Sequence, residues 1–88
     1  MDPRDLVLDG NAAAGTLREI FTVDMTGSPT TCAGCGSVRA LGELAVYTGG
    51  PGIVARCRTC ENVLLRVVRA GGRAWLDMRG LRCIELHL

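Results

Sequence analysis

A chain of 88 residues with a formal net charge of +1 suits one small domain, and we predict a single domain over residues 1–88. It contains no run of 18 apolar residues, and its acidic start differs from a secretory signal, so we expect a cytoplasmic protein that does not insert into membranes. In a reducing cytoplasm, five cysteines indicate metal-binding or catalytic thiols rather than a disulfide framework.

The first predicted element is a helix over residues 9–23. Asp9-Gly10-Asn11 offers candidates to cap the amide groups of its first turn. Apolar residues recur at helical spacing on one face: Ala13, Leu17, Ile20 and Phe21. Gly15 lies inside this helix, where glycine is unfavourable relative to alanine, so we expect close backbone packing at that point. Residues 26–30 follow as a linker rich in turn-forming residues.

The rest of the chain is predicted to form an antiparallel sheet of about five strands. The predicted strands are 44–48, 53–57, 63–70, 73–79 and 81–87. A GGPG loop separates the first two strands, and Gly71-Gly72 suits the positive φ angles of a two-residue hairpin loop between the next two. That loop would place Val68 opposite Trp75 and Arg66 opposite Asp77. A second tight turn at residues 79–80 would then add Ile84 beside Trp75 and Arg82 beside Asp77.

One face of this sheet is the predicted interaction surface, because an exposed tryptophan among arginines is typical of binding sites. Its residues are Trp75, Val68, Ile84, Arg66, Arg73 and Arg82. The GGPG loop is a further candidate contact. The opposite face would be apolar and would pack against the helix, with Cys83 as a buried free thiol. That face comprises Leu65, Val67, Leu76, Met78 and Cys83.

Arginine supplies every basic residue, and seven of the ten arginines lie in residues 53–88, against three acids. Residues 1–52 carry three arginines against six acids. This asymmetry indicates either an anionic partner or an acidic helix that docks on the protein's own basic sheet.

The cysteines carry the strongest chemical signal. Two C-x2-C pairs are separated by 21 residues, and their members are Cys32, Cys35, Cys57 and Cys60. Two residues between ligands allow a tight turn to direct both sulfurs at one ion, and the intervening hairpin would bring the pairs together. Four thiolates form a closed tetrahedral shell, so we predict one structural Zn²⁺ per chain. Asn62 is expected to supply the left-handed backbone that the second turn needs.

The same ligands would also suit iron, because soft thiolates accept both metals. A likeness to rubredoxin is confined to CAGCG, since the second pair, CRTCEN, has Glu61 where that family has glycine. A thioredoxin-type mechanism is disfavoured because neither pair precedes a predicted helix. We also expect no enzymatic activity: four cysteine ligands leave no position for a catalytic water, and the single histidine, His87, has no triad partners.

Residues 31–70 resemble a zinc ribbon, a fold in which two C-x2-C knuckles on β-hairpins hold one zinc ion. The segments LDGNAAAGTLREIF, CAGCG, CENVLLRVVR and WLDMRGLR are together similar to an uncharacterised, mainly actinobacterial family of small zinc-ribbon proteins. The resemblance implies a small α+β fold, with the helix at 9–23 followed by a zinc ribbon and antiparallel sheet over 31–88. Genes of that family are sometimes associated with flavin- and molybdenum-dependent oxidoreductases, which points to a protein partner.

Three functional hypotheses follow. The first is a structural zinc-binding module for protein interaction, an accessory component of a redox enzyme or of transcription machinery. The second is a nucleic-acid-binding zinc ribbon, whose arginines would contact phosphates although aromatic stacking residues are scarce. The third is a rubredoxin-like iron electron carrier.

Overall fold

The computed structural model describes residues 7–21, 24–49 and 52–87. Its elements are β1 (Val7–Asp9), a 3-10 turn (Gly10–Ala13), α1 (Ala14–Ile20), β2 (Pro29–Cys32), β3 (Val38–Ala40), a second 3-10 turn (Leu41–Glu43), β4 (Ala45–Gly49), β5 (Gly52–Arg56), β6 (Val63–Ala70), β7 (Arg73–Asp77) and β8 (Leu81–Ile84). The described residues form two antiparallel sheets, ordered β1-β4-β5-β6-β7 and β3-β2-β8. Within these ranges the α+β class is confirmed, but there are eight strands instead of about five.

The helical segment is shorter than the predicted 9–23. Asp9 caps it as expected, since its carboxylate accepts a hydrogen bond from Asn11 N–H at 3.1 Å. The first turn is a 3-10 turn and not α-helix. Its first residue, Gly10, lies so close to the Leu41 carbonyl that a Cβ would overlap the oxygen. α1 ends at Ile20, and residues 22 and 23 of the predicted helix lie outside the described residues.

Gly15 does not mark close packing. No atom lies within 4 Å of the position that its Cβ would occupy, so the expectation of a tight backbone contact there is wrong. α1 has seven residues, and no described helix is long and apolar enough to span a bilayer.

The hairpin of β6 and β7 has the predicted register. Gly71 and Gly72 have φ angles of 57° and 76°, as a two-residue loop of this kind requires. Val68 pairs with Trp75, and Arg66 pairs with Asp77. β4 and β5 also form the predicted hairpin, but the middle of the GGPG loop, residues 50 and 51, lies outside the described part of the chain.

The last strand does not join this sheet. β8 pairs with β2, with Thr30 opposite Ile84, so Ile84 and Arg82 do not extend the pairs of β6 and β7. The chain turns away after β7 because Asp77 accepts hydrogen bonds from the backbone and side chain of Arg79. Gly80 then packs against the Val63 carbonyl, where no Cβ would fit, and accepts a hydrogen bond from Ala33 N–H at 2.9 Å.

α1 packs on the predicted apolar face of the five-stranded sheet, where Leu65 and Val67 are buried, and Glu19 forms an ion pair with Arg69 of the same face. The core consists of Ala13, Leu17, Met25, Cys32, Leu41, Leu44, Val46, Ala55, Cys57, Leu64, Leu65 and Val67. Two predicted members of this face are placed differently. Leu76 is exposed at the sheet edge, and Cys83 lies exposed in the other sheet, 3.4 Å from Thr31 Oγ1.

Candidate metal centre

The four cysteines of the C-x2-C pairs come together at one point. Cys32 Sγ lies 3.6 Å from Cys60 Sγ, Cys35 Sγ lies 3.7 Å from Cys57 Sγ, and all four sulfurs lie within 4.8 Å of one another. Four sulfurs about 2.3 Å from a central ion at tetrahedral corners would be about 3.8 Å apart. All four thiols are free, and their spacing therefore fits one tetrahedrally coordinated metal ion.

Two turns of the same construction hold these cysteines: the first knuckle, residues 32–37, and the second knuckle, residues 57–62. In each knuckle, two backbone hydrogen bonds of the first cysteine close the turn: its carbonyl accepts one, and its N–H donates the other. The bonds are Gly36 N–H to Cys32 O, Cys32 N–H to Ser37 O, Glu61 N–H to Cys57 O and Cys57 N–H to Asn62 O, each 2.9 Å long. The first cysteine of each knuckle is buried and the second is exposed. The two knuckles are therefore structural equivalents that face each other across the four sulfurs.

Backbone N–H groups point at the buried sulfurs. Gly34 N lies 3.3 Å from Cys32 Sγ, and Thr59 N lies 3.4 Å from Cys57 Sγ. A hydrogen bond donated to sulfur favours the thiolate, which is the form that binds metal. The equivalent placement of these donors suits both pairs to metal coordination.

The fifth residue of each knuckle has a positive φ angle. Gly36 has φ +76°, and Glu61, at the equivalent position, has φ +66°. The prediction that Asn62 supplies the left-handed residue is therefore wrong by one position, since the strained residue is Glu61. Asn62 instead directs its side chain toward Gly34 of the other knuckle, so closely that a Cβ at Gly34 would overlap the amide nitrogen.

The cysteines of the cluster differ in pKa. Burial raises the pKa of Cys57, but hydrogen bonds from the Cys60 and Thr59 backbones outweigh it and lower this pKa to about 6. The backbone hydrogen bond from Asn62 lowers the pKa of Cys60, yet burial and the three neighbouring thiols together raise it to about 12. Cys57 therefore loses its proton more readily than Cys60. A metal ion that binds all four sulfurs would displace the remaining protons.

Two arginines brace the second knuckle, a role that the sequence did not reveal. Arg56 Nη1 donates to the Glu61 carbonyl at 3.0 Å, and Arg58 Nε donates to the Glu43 carbonyl at 2.6 Å. The Arg56 guanidinium also lies 5.6 Å from the centre of the Tyr47 ring, within cation–π range. Arg58 and its acceptor Glu43 are 15 residues apart in the sequence, so no local pattern could have indicated that contact.

The knuckles belong to different sheets. The first connects β2 to β3 in the three-stranded sheet, and the second connects β5 to β6 in the five-stranded sheet. Coordination by all four cysteines would therefore join the two sheets at one point. The described contacts between the knuckles are the sulfur pairs, the Asn62–Gly34 approach and a 3.2 Å contact between the hydroxyls of Ser37 and Thr59.

The predicted interaction surface is only partly assembled. We define the outer face as the face of the five-stranded sheet opposite α1; it carries Tyr47, Val54, Arg56, Arg66, Val68, Arg73, Trp75 and Asp77. Four of the six predicted residues lie on it, and Trp75 is 54% exposed. Ile84 and Arg82 lie on β8 in the other sheet. Tyr47, 36% exposed on the outer face, was missed because its strand could not be aligned with β6 from local sequence.

Comparisons with known proteins give one match. No curated protein and no solved structure matches the chain. A family model described as a family of unknown function, DUF6510, matches residues 2–88, which include both knuckles and every described strand. The chain belongs to this family of unknown function, DUF6510.

Proposed function

We propose that this chain is a zinc-ribbon protein in which one structural Zn²⁺ stabilises a small, non-catalytic module for protein interaction. The observation that carries the proposal is the tetrahedral spacing of the four cysteine sulfurs on two equivalent knuckles. Zinc bound by four thiolates has a closed coordination shell, which leaves no position for a water or a substrate. The chemistry of the donor set therefore favours folding, and not catalysis, as the role of the metal.

The need for such a metal follows from the strands of the three-stranded sheet. Those strands have only three or four residues each, and strands this short are marginal without further support. Zinc binding to small structural sites is worth on the order of 10–16 kcal/mol, which exceeds the net stability of most small domains. Free thiols in C-x2-C pairs also suit a reducing compartment such as the cytoplasm.

The outer face supports the interaction role. Trp75 and Tyr47 are exposed there, and Val68 lies between Trp75 of β7 and Gly52 of β5. Aromatic and arginine side chains are enriched among the residues that anchor protein interfaces. A protein partner, for which a redox enzyme or transcription machinery are the candidates, would contact this face.

Nucleic acid is the alternative partner, and the observation that favours it is the Arg56 guanidinium stacked near the Tyr47 ring beside Arg66. Such a face can bind phosphates and stack bases. Binding to labelled single-stranded DNA and RNA separates the two classes. A loss of binding in Arg66→Glu, with binding retained in the matched Arg82→Glu on the other sheet, would favour nucleic acid. Lack of any binding at about 50 mM salt would favour protein.

Metal analysis of the purified chain tests the proposal directly. We expect one zinc per chain and a colourless protein, whereas a red, iron-loaded protein would favour the rubredoxin-like alternative. Cys57→Ser should lose the metal, and Cys83→Ser, which changes an exposed thiol outside the cluster, should retain it.

Removal of the metal with a strong chelator tests its structural role. Amide exchange should accelerate first in β2, β3 and β8, because these short strands depend most on the first knuckle. Unchanged exchange in all three strands after complete metal removal would contradict a structural role.

A further inference from the structure

The edge strand β7 lacks the features that usually protect a sheet edge. It is the last strand of the five-stranded sheet, has five residues, and pairs with β6 without a bulge or a proline. Four of its residues, from Arg73 to Leu76, are exposed. Natural edges are normally blunted by lysine, proline, bulges or a covering element. Within the described chain, the other edge strands, β1, β3 and β8, are shorter, with three or four residues.

The register of the hairpin determines which backbone groups face outward. In a two-residue hairpin, the residues that flank the loop, Ala70 and Arg73, form a hydrogen-bonded pair, and such pairs alternate along the ladder. Trp75 therefore directs its N–H and C=O toward β6. Ala74 and Leu76 direct theirs away from the sheet, where they can pair with another strand.

We propose that a second copy of this chain occupies this edge, and that two β7 strands pair antiparallel about a two-fold axis at Trp75. The sequence of β7, Arg-Ala-Trp-Leu-Asp, complements itself in that register. Arg73 lies opposite Asp77 of the second copy, and Asp77 lies opposite Arg73 of the second copy, so the interface contains two cross-strand ion pairs. Trp75 lies opposite its own equivalent in the centre.

The N–H and C=O groups of Ala74 and Leu76 that point away from the sheet can all form hydrogen bonds in this register. With the axis at Trp75, Ala74 of one copy lies opposite Leu76 of the other, so the outward N–H and C=O groups form four hydrogen bonds. A shift of the axis to Ala74 would place Arg73 opposite Trp75, and a shift to Leu76 would place Trp75 opposite Asp77. Both shifted registers lose the two ion pairs, so charge complementarity favours the central one.

Within the described residues, the path of the chain leaves this edge accessible. After β7, Gly80 packs against the Val63 carbonyl of β6, so the connection to β8 turns away from the free side of β7. Asp77 already accepts hydrogen bonds from Arg79, and its two oxygens can accept a further arginine. In the dimer, the two outer faces would be continuous and the two five-stranded sheets would form one sheet of ten strands. This proposal requires the fold alone, and it holds whichever metal or partner the chain binds.

Association should be weak, since one five-residue edge buries less than the roughly 1,200 Å² of a standard interface. We therefore expect a dissociation constant in the micromolar range or above. Sedimentation equilibrium of the metal-loaded chain, from about 10 µM to about 1 mM, should show the mass rising from 9.3 kDa toward twice that value. A mass of 9.3 kDa at every concentration would overturn the proposal.

Charge exchange within β7 tests the register. Arg73→Asp and Asp77→Arg each replace two favourable pairs with two like-charge pairs, and each should weaken dimerisation at least about tenfold. The double variant restores opposite charges across the axis and should recover dimerisation relative to both single variants. Arg82→Asp, which makes the same charge change on β8, should dimerise like the wild type. Failure of the double variant to recover would refute the register.

Ala74→Pro tests the edge itself. Proline removes an N–H that points outward, so the variant should keep its fold and metal content while it stays monomeric. Amide exchange provides an independent reading: protection of Ala74 and Leu76 should increase with concentration, while Trp75 is protected at all concentrations. A dimer that persists in Ala74→Pro, or a wild-type dimer in which Ala74 and Leu76 stay in fast exchange, would show that another surface associates and would overturn the proposal.

Discussion

Replacement of Glu61 by glycine should stabilise the protein, although it removes a side chain. Glu61 has φ +66°, where a residue with a Cβ costs about 1–2 kcal/mol relative to the right-handed region. Glycine avoids this cost but loses about 0.5–1 kcal/mol through the greater freedom of the unfolded chain. The net expectation is a gain of about 0.5–1 kcal/mol. Gly36, the equivalent residue of the first knuckle, should respond in the opposite direction, so Gly36→Ala should lose about 1 kcal/mol.

Thermal unfolding at a fixed excess of metal measures both changes, because metal concentration itself shifts the midpoint. For a chain of this size, 1 kcal/mol corresponds to a shift of about 4–8 °C. Glu61→Ala is the matched control, since it removes the charge and keeps the Cβ. If Glu61→Ala stabilises as much as Glu61→Gly, the gain arises from charge, and the argument from backbone strain is refuted.

Three further substitutions are expected to act through a backbone contact, through helix propensity and through charge. Gly80→Ala should destabilise the protein by about 1–3 kcal/mol or more in denaturant titrations, because the new Cβ would overlap the Val63 carbonyl. Gly15→Ala has open space around the new Cβ and should stabilise the protein by about 0.5–1 kcal/mol in the same assay. Hydrogen bonds from Arg79 lower the pKa of Asp77 to about 2, so the carboxylate contributes stability above the unfolded pKa of 3.8, and this contribution is lost as the pH falls toward 2. The stability difference between wild type and Asp77→Asn should therefore be constant from about pH 5 to pH 8 and should shrink below about pH 4, and a difference that grows in acid would contradict this assignment.

The parts of the fold that local sequence determines could be predicted. Two residues between cysteines allow a tight turn that directs both sulfurs at one ion, so the four ligands could be named in advance. Gly71-Gly72 likewise determines its own loop, and the register of β6 and β7 follows from the loop length. The burial of Leu65 and Val67 beneath α1 follows from that register.

The elements that depend on distant contacts could not be predicted. The sequence of β2 resembles a polar turn segment, because Thr30 is a polar residue. In the structure Thr30 is buried, and its hydroxyl donates to the Arg39 carbonyl at 2.8 Å. β8 follows β7 so closely that a third hairpin strand was the simplest expectation. Its actual partner is decided by Gly80, which packs against Val63, and no local pattern distinguishes that glycine from one in a tight turn.

The division into two sheets assigns different roles to different parts of the molecule. The three-stranded sheet holds the first knuckle and has short strands, so we expect its stability to depend on a metal ion bound by the four cysteines. The five-stranded sheet holds the second knuckle, packs against α1 and contributes five of the twelve buried core residues. Because Trp75 and the free edge of β7 both belong to this larger sheet, substitutions there should change association while the cysteine cluster stays intact. Metal binding and partner binding should therefore be separable by mutation, as they should be if zinc stabilises the fold and the outer face carries the function.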